Sequence, residues 1–237
     1  MRILSLGADI LFSPEITEPS GKTIFVLGGR KPDASWLADF VSRGRADIWA
    51  IDSGITACRE AGLCPRVIIG DMDSVPPDDH EWARSSAASE FVYPREKDVT
   101  DFQLAIDELK NELRKQNGAS NLIVTGGFGG RLDHLFSVLN TFAYSGALCM
   151  IDDRECVSLV RPDITVSVKF KTRPAAISLL PLSERCAGVN IGGVRWPLTN
   201  ASLDRNFPWT VSNELPEGNS EITASCASGI VGLYCFF

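Results

Sequence analysis

Val67-Ile68-Ile69-Gly70-Asp71-Met72-Asp73-Ser74 opens with three consecutive β-branched apolar residues and ends in a glycine and two aspartates one residue apart. A run apolar on both of its faces reads as a strand buried inside a parallel sheet and covered by helices on either side. The same pattern recurs on both sides of it, at Thr23 to Leu27, Ile48 to Ile51, Phe91 to Tyr93, Leu122 to Val124 and Ala147 to Ile151. Between these runs lie helix-spaced apolar stripes: Trp36, Leu37, Phe40 and Val41; Phe102, Ile106, Leu109 and Leu113; and Leu132, Leu135, Phe136, Leu139 and Phe142. Alternating strands and helices predict an α/β, Rossmann-like, mostly parallel sheet over residues 1–152. The residues just after the strands are Gly28-Gly29, Asp52-Ser53-Gly54, Gly70-Asp71, Lys97-Asp98 and Gly126-Gly127. In such a sheet these form the carboxyl-end rim, where ligands bind. Glycine and aspartate are also ordinary turn formers, so the weight rests on five such ends together.

Past residue 153 the pattern changes to short β-branched or alternating runs separated by Gly, Pro and Asn: Thr165 to Phe170, Ala176 to Leu180, Val189 to Trp196, Ile222 to Ala224 and Ile230 to Phe237. Residues 153–237 are therefore expected to form a smaller all-β sandwich. With 237 residues, 44% of them hydrophobic, the chain can bury a full core. A formal net charge of −7 disfavours nucleic-acid and anionic-membrane partners, so any phosphate needs a local cation. The apolar stretch from Ile3 to Phe12 is interrupted by Asp9 and is too short for a signal or membrane segment, which makes a cytoplasmic location the expectation. Seven cysteines lack the close pairs of a zinc site and read as reduced core residues. With only His80 and His134 present, a histidine-based metal centre is excluded and hard-cation chemistry through aspartates stays open.

Three constellations carry chemistry. In Gly70 to Ser74, an extended chain would turn the Asp71 and Asp73 carboxylates to one side, as one cation requires, although a plain acidic turn looks the same. In Lys97-Asp98-Val99-Thr100-Asp101-Phe102-Gln103, Thr100 and Gln103 form a capping box at a helix N-terminus that is also suited to a metal-bound triphosphate. In Thr125-Gly126-Gly127-Phe128-Gly129-Gly130-Arg131-Leu132-Asp133-His134, glycines let backbone amides approach phosphate or ribose, and Arg131 offers a bidentate donor. The Walker-like fragment Ser20-Gly21-Lys22-Thr23 has Ile16 in place of the leading glycine and precedes a strand, so it is set aside.

In order and context these clusters resemble the thiamine pyrophosphokinase family: an aspartate after a strand, then G-D-x-D-S, K-D-x-T-D and G-G-R-x-D-H. The likeness continues through Ser178-Leu179-Leu180-Pro181-Leu182, Gly193-Val194-Arg195-Trp196-Pro197-Leu198 and Ser212-Asn213-Glu214. It departs at Asp52-Ser53-Gly54-Ile55-Thr56, where the family usually shows D-G-G-A-N. The resemblance implies transfer of a pyrophosphoryl group from ATP to the hydroxyl of thiamine with Mg2+. It implies Asp71, Asp73, Asp98 and Asp101 as metal-holding and catalytic residues, and Asp52, Thr100, Thr125, Gly127, Arg131 and Asp133 as ATP contacts. Trp196, Ser212 and Asn213 would meet thiamine, and a homodimer would share its active sites between chains. Read by themselves, Trp196 is more readily a core aromatic of a sandwich and Ser212-Asn213 a turn. Two rivals remain: a pyrophosphokinase of the same fold acting on a hydroxymethylpterin, and a non-catalytic sensor of nucleotide or thiamine diphosphate. The β-domain motifs speak against the first and the full aspartate set against the second.

Overall fold

The computed structural model describes residues 2–4, 7–13, 22–116 and 120–237. The chain divides into two compact units, one within Pro19–Asp153 and one joining the first strands to Arg154–Phe237. The first strands, β1 (Arg2–Leu4) and β2 (Ala8–Ser13), thus belong to the second unit. This differs from the 1–152 and 153–237 division expected from sequence. The reason is a long-range pairing, described below, that no local pattern announces. Residues 20 and 21 of the Walker-like fragment lie outside the described residues, as do residues 5 and 6 of the early apolar stretch.

The α/β unit contains β3 (Lys22–Val26), β4 (Ala46–Ile51), β5 (Val67–Gly70), β6 (Ser89–Val92), β7 (Asn121–Thr125) and β8 (Cys149–Ile151), all paired in parallel in the order β8-β7-β3-β4-β5-β6. Every residue of β5 and of β7 is buried, as continuous apolar runs demand. The helices are α1 (Ala34–Ser42), α2 (Gly54–Glu60), α3 (Pro77–Ser86), α4 (Asp101–Gln116) and α5 (Leu132–Tyr144). Asp33 caps α1 by accepting from the Trp36 amide at 2.9 Å. The capping box opens α4: the Gln103 amide donates to Thr100 Oγ1 at 3.3 Å and the Thr100 amide to Gln103 Oε1 at 2.8 Å. Helix α4 buries Phe102, Ile106 and Leu109, with Phe102 edge-on to Phe25, whose ring stacks on Trp49 at 5.3 Å. Each such aromatic contributes about 1.5–3 kcal/mol through burial.

Helix α5 departs from its expected stripe. Phe142 is buried, but Leu132 and Phe136 are 80% and 69% exposed. The segment is apolar on two faces, one through Leu135, Val138 and Phe142 and another through Leu132, Phe136 and Tyr144, so spacing alone cannot choose between them.

The second unit is all β. One antiparallel sheet runs β1-β2-β10-β14-β12-β13, with β10 (Thr165–Phe170), β12 (Arg185–Gly192), β13 (Leu198–Asp204) and β14 (Glu221–Ser225). Strand β2 pairs along the whole of β10, from Ala8 opposite Phe170 to Ser13 opposite Thr165. A second set places β15 (Val231–Phe236) between β11 (Ala176–Pro181) and β9 (Glu155–Val160), again antiparallel. Alternation along β10 and β14 buries Val166, Val168, Phe170, Ile222 and Ala224. All seven cysteines are free and six are buried; Cys64 is exposed and takes no part in a core. No described helix is long and apolar enough to cross a membrane.

Candidate functional site

The chain runs β3, β4, β5, β6 outward along the parallel sheet, then crosses back to place β7 on the other side of β3. The carboxyl ends of β3 and β7 therefore flank a topological switch point, the place where an open α/β sheet leaves a crevice. A cleft of about 540 Å3 lies there, lined by Gly28, Asp52, Asp71, Lys97, Asp101 and Gly127 among others.

Its acidic wall is built around Lys97. The ammonium lies 3.0 Å from Asp101 Oδ1 and 3.3 Å from Asp71 Oδ2, with all three side chains at most 15% exposed. Asp52 joins them from the end of β4. Its backbone is left-handed (φ 47°), and its Oδ1 is buried without a hydrogen-bond partner. Burial, then the charges of Asp101 and Asp71, push the Asp52 carboxyl up to about 7. For Asp71, burial acts to raise the carboxyl, but the Asp73 amide and Lys97 outweigh it and hold it below the ordinary range. Gly70 makes room for this arrangement: a Cβ at that position would fall on the Asp52 carboxylate, well inside the 3.0 Å that real Cβ atoms keep.

The run Gly70-Asp71-Met72-Asp73 is a turn and not an extended chain, with the Asp73 side chain still close enough to help hold the Asp71 carboxyl low. Met72 is left-handed (φ 62°), which turns the chain, and the Asp73 amide donates to Asp71 Oδ1 at 3.1 Å. Asp73 also meets Arg95 at 3.2 Å, and Asp98 is exposed and outside the cleft lining. Of the acidic residues, Asp52, Asp71 and Asp101 line this wall of the cleft, with Asp73 beside Asp71. In donor chemistry this set suits a hard divalent cation: three carboxylates line one wall, and the buried Asp52 Oδ1 has no hydrogen-bond donor. Among the described residues, no three acidic, thiol or imidazole groups are drawn close enough to hold an ion as they stand.

The opposite wall is the glycine-rich loop. Gly126 has φ 67° and stands against Leu27 O, where a Cβ has no room; the Gly29 amide donates to Gly126 O at 2.7 Å and the Arg30 amide to Phe128 O at 2.5 Å. The Arg30 guanidinium lies 5.9 Å from the Phe128 ring centroid and binds Asp152 at 2.5 Å, so the loop is clamped from the end of β8. Arg131 and Asp133 line the cleft as an exposed ion pair at 2.6 Å, and hydrogen bonding from Arg131 holds the Asp133 carboxyl low. Thr125 is fully buried beneath the loop, and Thr100 is occupied with its cap while still lining the cleft.

The β unit has a cleft of its own, about 300 Å3, floored by Ile177, Leu179 and Ile191 and rimmed by Trp196, Trp209 and Asn213. Asn213 clamps Trp196: its Nδ2 donates to Trp196 O at 2.8 Å and its Oδ1 accepts from the Trp196 amide at 3.1 Å. The Arg195 guanidinium covers one face of the Trp196 ring at 4.8 Å and pairs with Glu214 at 2.7 Å. Ser212, left-handed at φ 59°, donates its amide to Ser178 Oγ at 3.0 Å and lies outside the cleft lining. Sequence reasoning left Trp209 unremarked. Its signal was a tryptophan following a proline in a β unit, Phe207-Pro208-Trp209-Thr210, a local cue weaker than a motif.

Residues 44–149 match the family model described as thiamin pyrophosphokinase, catalytic domain, and residues 164–231 match thiamin pyrophosphokinase, vitamin B1 binding domain. Among curated relatives, a thiamine pyrophosphokinase of Bacillus subtilis (strain 168) is 29% identical over 220 residues, covering 89% of this chain and 96% of that one. Among solved structures, thiamin pyrophosphokinase from Geobacillus thermodenitrificans aligns with a TM-score of 0.69 at 28% identity, over 91% of this chain and 97% of that one. Yeast thiamin pyrophosphokinase aligns at 0.68 and 16% identity over 94% and 88%, a likeness of fold. With both family domains matched in order over most of its length, this chain belongs to the thiamine pyrophosphokinase family.

Proposed function

We propose that the chain transfers the pyrophosphoryl group of ATP to the hydroxyl of thiamine, giving thiamine diphosphate and AMP. The observation that carries this reading is the switch-point cleft, where a carboxylate–lysine cluster faces a glycine-rich loop across a space of nucleotide size. The thiamine hydroxyl oxygen bonds to the β-phosphorus, the bond from that phosphorus to the oxygen bridging to the α-phosphate breaks, and AMP leaves with the electron pair. The hydroxyl proton passes to a carboxylate of the cluster. Phosphoryl transfer of this kind depends on positioning and charge neutralisation. Asp71 and Asp101, with Asp52, would hold Mg2+, which when bound neutralises phosphate oxygens. Lys97, Arg95 and Arg131 supply further positive charge on the cleft wall. The open amides of Gly127 to Gly130 approach the nucleotide, while Asp73 and Asp98 stand further out.

The aromatic cleft of the β unit is the thiamine side of the reading, and the vitamin B1 binding domain match there favours thiamine over a pterin alcohol. Incubation with Mg-ATP and either alcohol, followed by product identification, tests the assignment. AMP with thiamine diphosphate is expected; ADP with a monophosphate, or turnover of the pterin alone, overturns it. The exposed apolar face of α5, with Leu132, Phe136 and Tyr144, further supports a homodimer that shares its active sites. Mixing Asp71→Asn chains with Trp196→Ala chains should restore activity after subunit exchange; no recovery despite proven exchange argues for sites within single chains.

A further inference from the structure

Trp209 is 59% exposed on the rim of the β-unit cleft, and the backbone that carries it is tied down. Pro208 restricts the backbone just before it, and the Trp209 amide donates to Phe207 O at 3.0 Å. The next residue, Thr210, is tied to β11 twice: the Leu179 amide donates to Thr210 O at 2.8 Å, and Thr210 Oγ1 donates to Leu179 O at 2.6 Å. Two residues further on, the Ser212 amide is held by Ser178 Oγ, and Asn213 pairs with Ile177 through both backbone groups. A backbone held this firmly sets an exposed indole at a defined place on the rim, so less of the chain has to be ordered when a ligand binds. The two tryptophans of this cleft are not equivalent. Trp196 already carries the Arg195 guanidinium on one face, whereas among the described residues no cation lies over Trp209. A second positive charge near Trp196 is opposed by Arg195, while the face of Trp209 offers an unshared negative quadrupole.

From this geometry we infer that Trp209 is a further substrate-binding residue, the aromatic wall that takes the cationic thiazolium ring of thiamine. The inference rests on the thiamine reading above. The test is calorimetric titration of the full chain, in the presence of Mg2+, with thiamine and with the neutral analogue that has carbon in place of the thiazolium nitrogen. Trp209→Ala should weaken thiamine binding roughly five- to tenfold and analogue binding less than about twofold, and Trp209→Phe should retain most of the affinity. ATP affinity should stay unchanged in both variants. Thiamine binding within about twofold of wild type in Trp209→Ala overturns the inference, as does an equal loss for thiamine and analogue. If that happens while Trp196→Ala still weakens thiamine, the functional reading survives and only the role of Trp209 falls. A wild-type chain that binds no thiamine sinks both.

Discussion

Replacing Gly70 by alanine tests the acidic wall without removing any of its charges. Gly70 has φ 148°, a region nearly reserved for glycine, and its missing Cβ is the space that the Asp52 carboxylate fills. The backbone strain costs about 1–3 kcal/mol. For a domain of this size, each kcal/mol corresponds to roughly 2–4 °C, so the melting temperature should fall by about 2–12 °C. To regain ordinary van der Waals contact, the Asp52 carboxylate must retreat by roughly an ångström or more. It would then leave the position from which it faces Asp71 and Asp101. Misplacement on that scale costs on the order of a hundredfold in rate when a site acts through positioning. The assay is AMP formation under saturating Mg-ATP and thiamine, alongside thermal unfolding. The expected result is a folded, less stable protein with kcat lowered about a hundredfold. If Gly70→Ala melts lower but turns over at the wild-type rate, Asp52 is not part of the working site and the argument fails.

Asp71→Asn should lower kcat by roughly a hundredfold or more with the fold intact, and EDTA should abolish turnover that Mg2+ restores; a wild-type rate for the variant would remove Asp71 from the site. The Asp52 carboxyl titrates near 7 when folded against an ordinary 3.8, so the folded chain binds its proton more tightly between those values. Its contribution to stability is present at low pH and lost as pH rises through about 7. In metal-free buffer, Asp52→Asn should accordingly raise the melting temperature at pH 8 more than at pH 4.5, and an equal or reversed effect contradicts the assignment. Asp152→Ala removes the carboxylate that Arg30 binds and should cost about 1–3 kcal/mol, read by denaturant unfolding; a loss below about 0.5 kcal/mol would show that the clamp on the glycine loop is loose.

What the sequence could and could not reveal follows from the range of each interaction. The parallel strands and the Thr100–Gln103 cap were legible because hydrophobic continuity and capping act over a few residues. The rim was legible because the residue after each buried strand must lie at a sheet end. The extended backbone expected through Asp71 and Asp73 is instead a turn, because Met72 is left-handed, and Asp73 also reaches Arg95. Asp52 was expected as a nucleotide contact. Its approach to Asp71 and Asp101 depends on two strand ends meeting the start of α4, which no spacing encodes. The clamp of Asn213 on Trp196 crosses 17 residues through a side-chain amide, so from the sequence alone it looked like a turn. The two-faced apolar pattern of α5 left its orientation undetermined until the sheet was in place.

The pairing of β2 with β10 also governs how the chain can be made. On a ribosome, Ala8 emerges about 160 residues before its partner Phe170, a wait of roughly 8–30 s at typical elongation rates. The α/β unit, encoded entirely between them, can complete its own core during that interval. Strand β2, with Ile10 and Phe12 destined for burial, has meanwhile only β1 to pair with, and its other edge stays open. The nascent chain thus carries an open strand edge through most of its synthesis, a recognised invitation to mispairing. A chaperone that shields the first dozen residues, or slower initiation that spaces neighbouring ribosomes, should raise the soluble yield of this protein more than any substitution in the later strands.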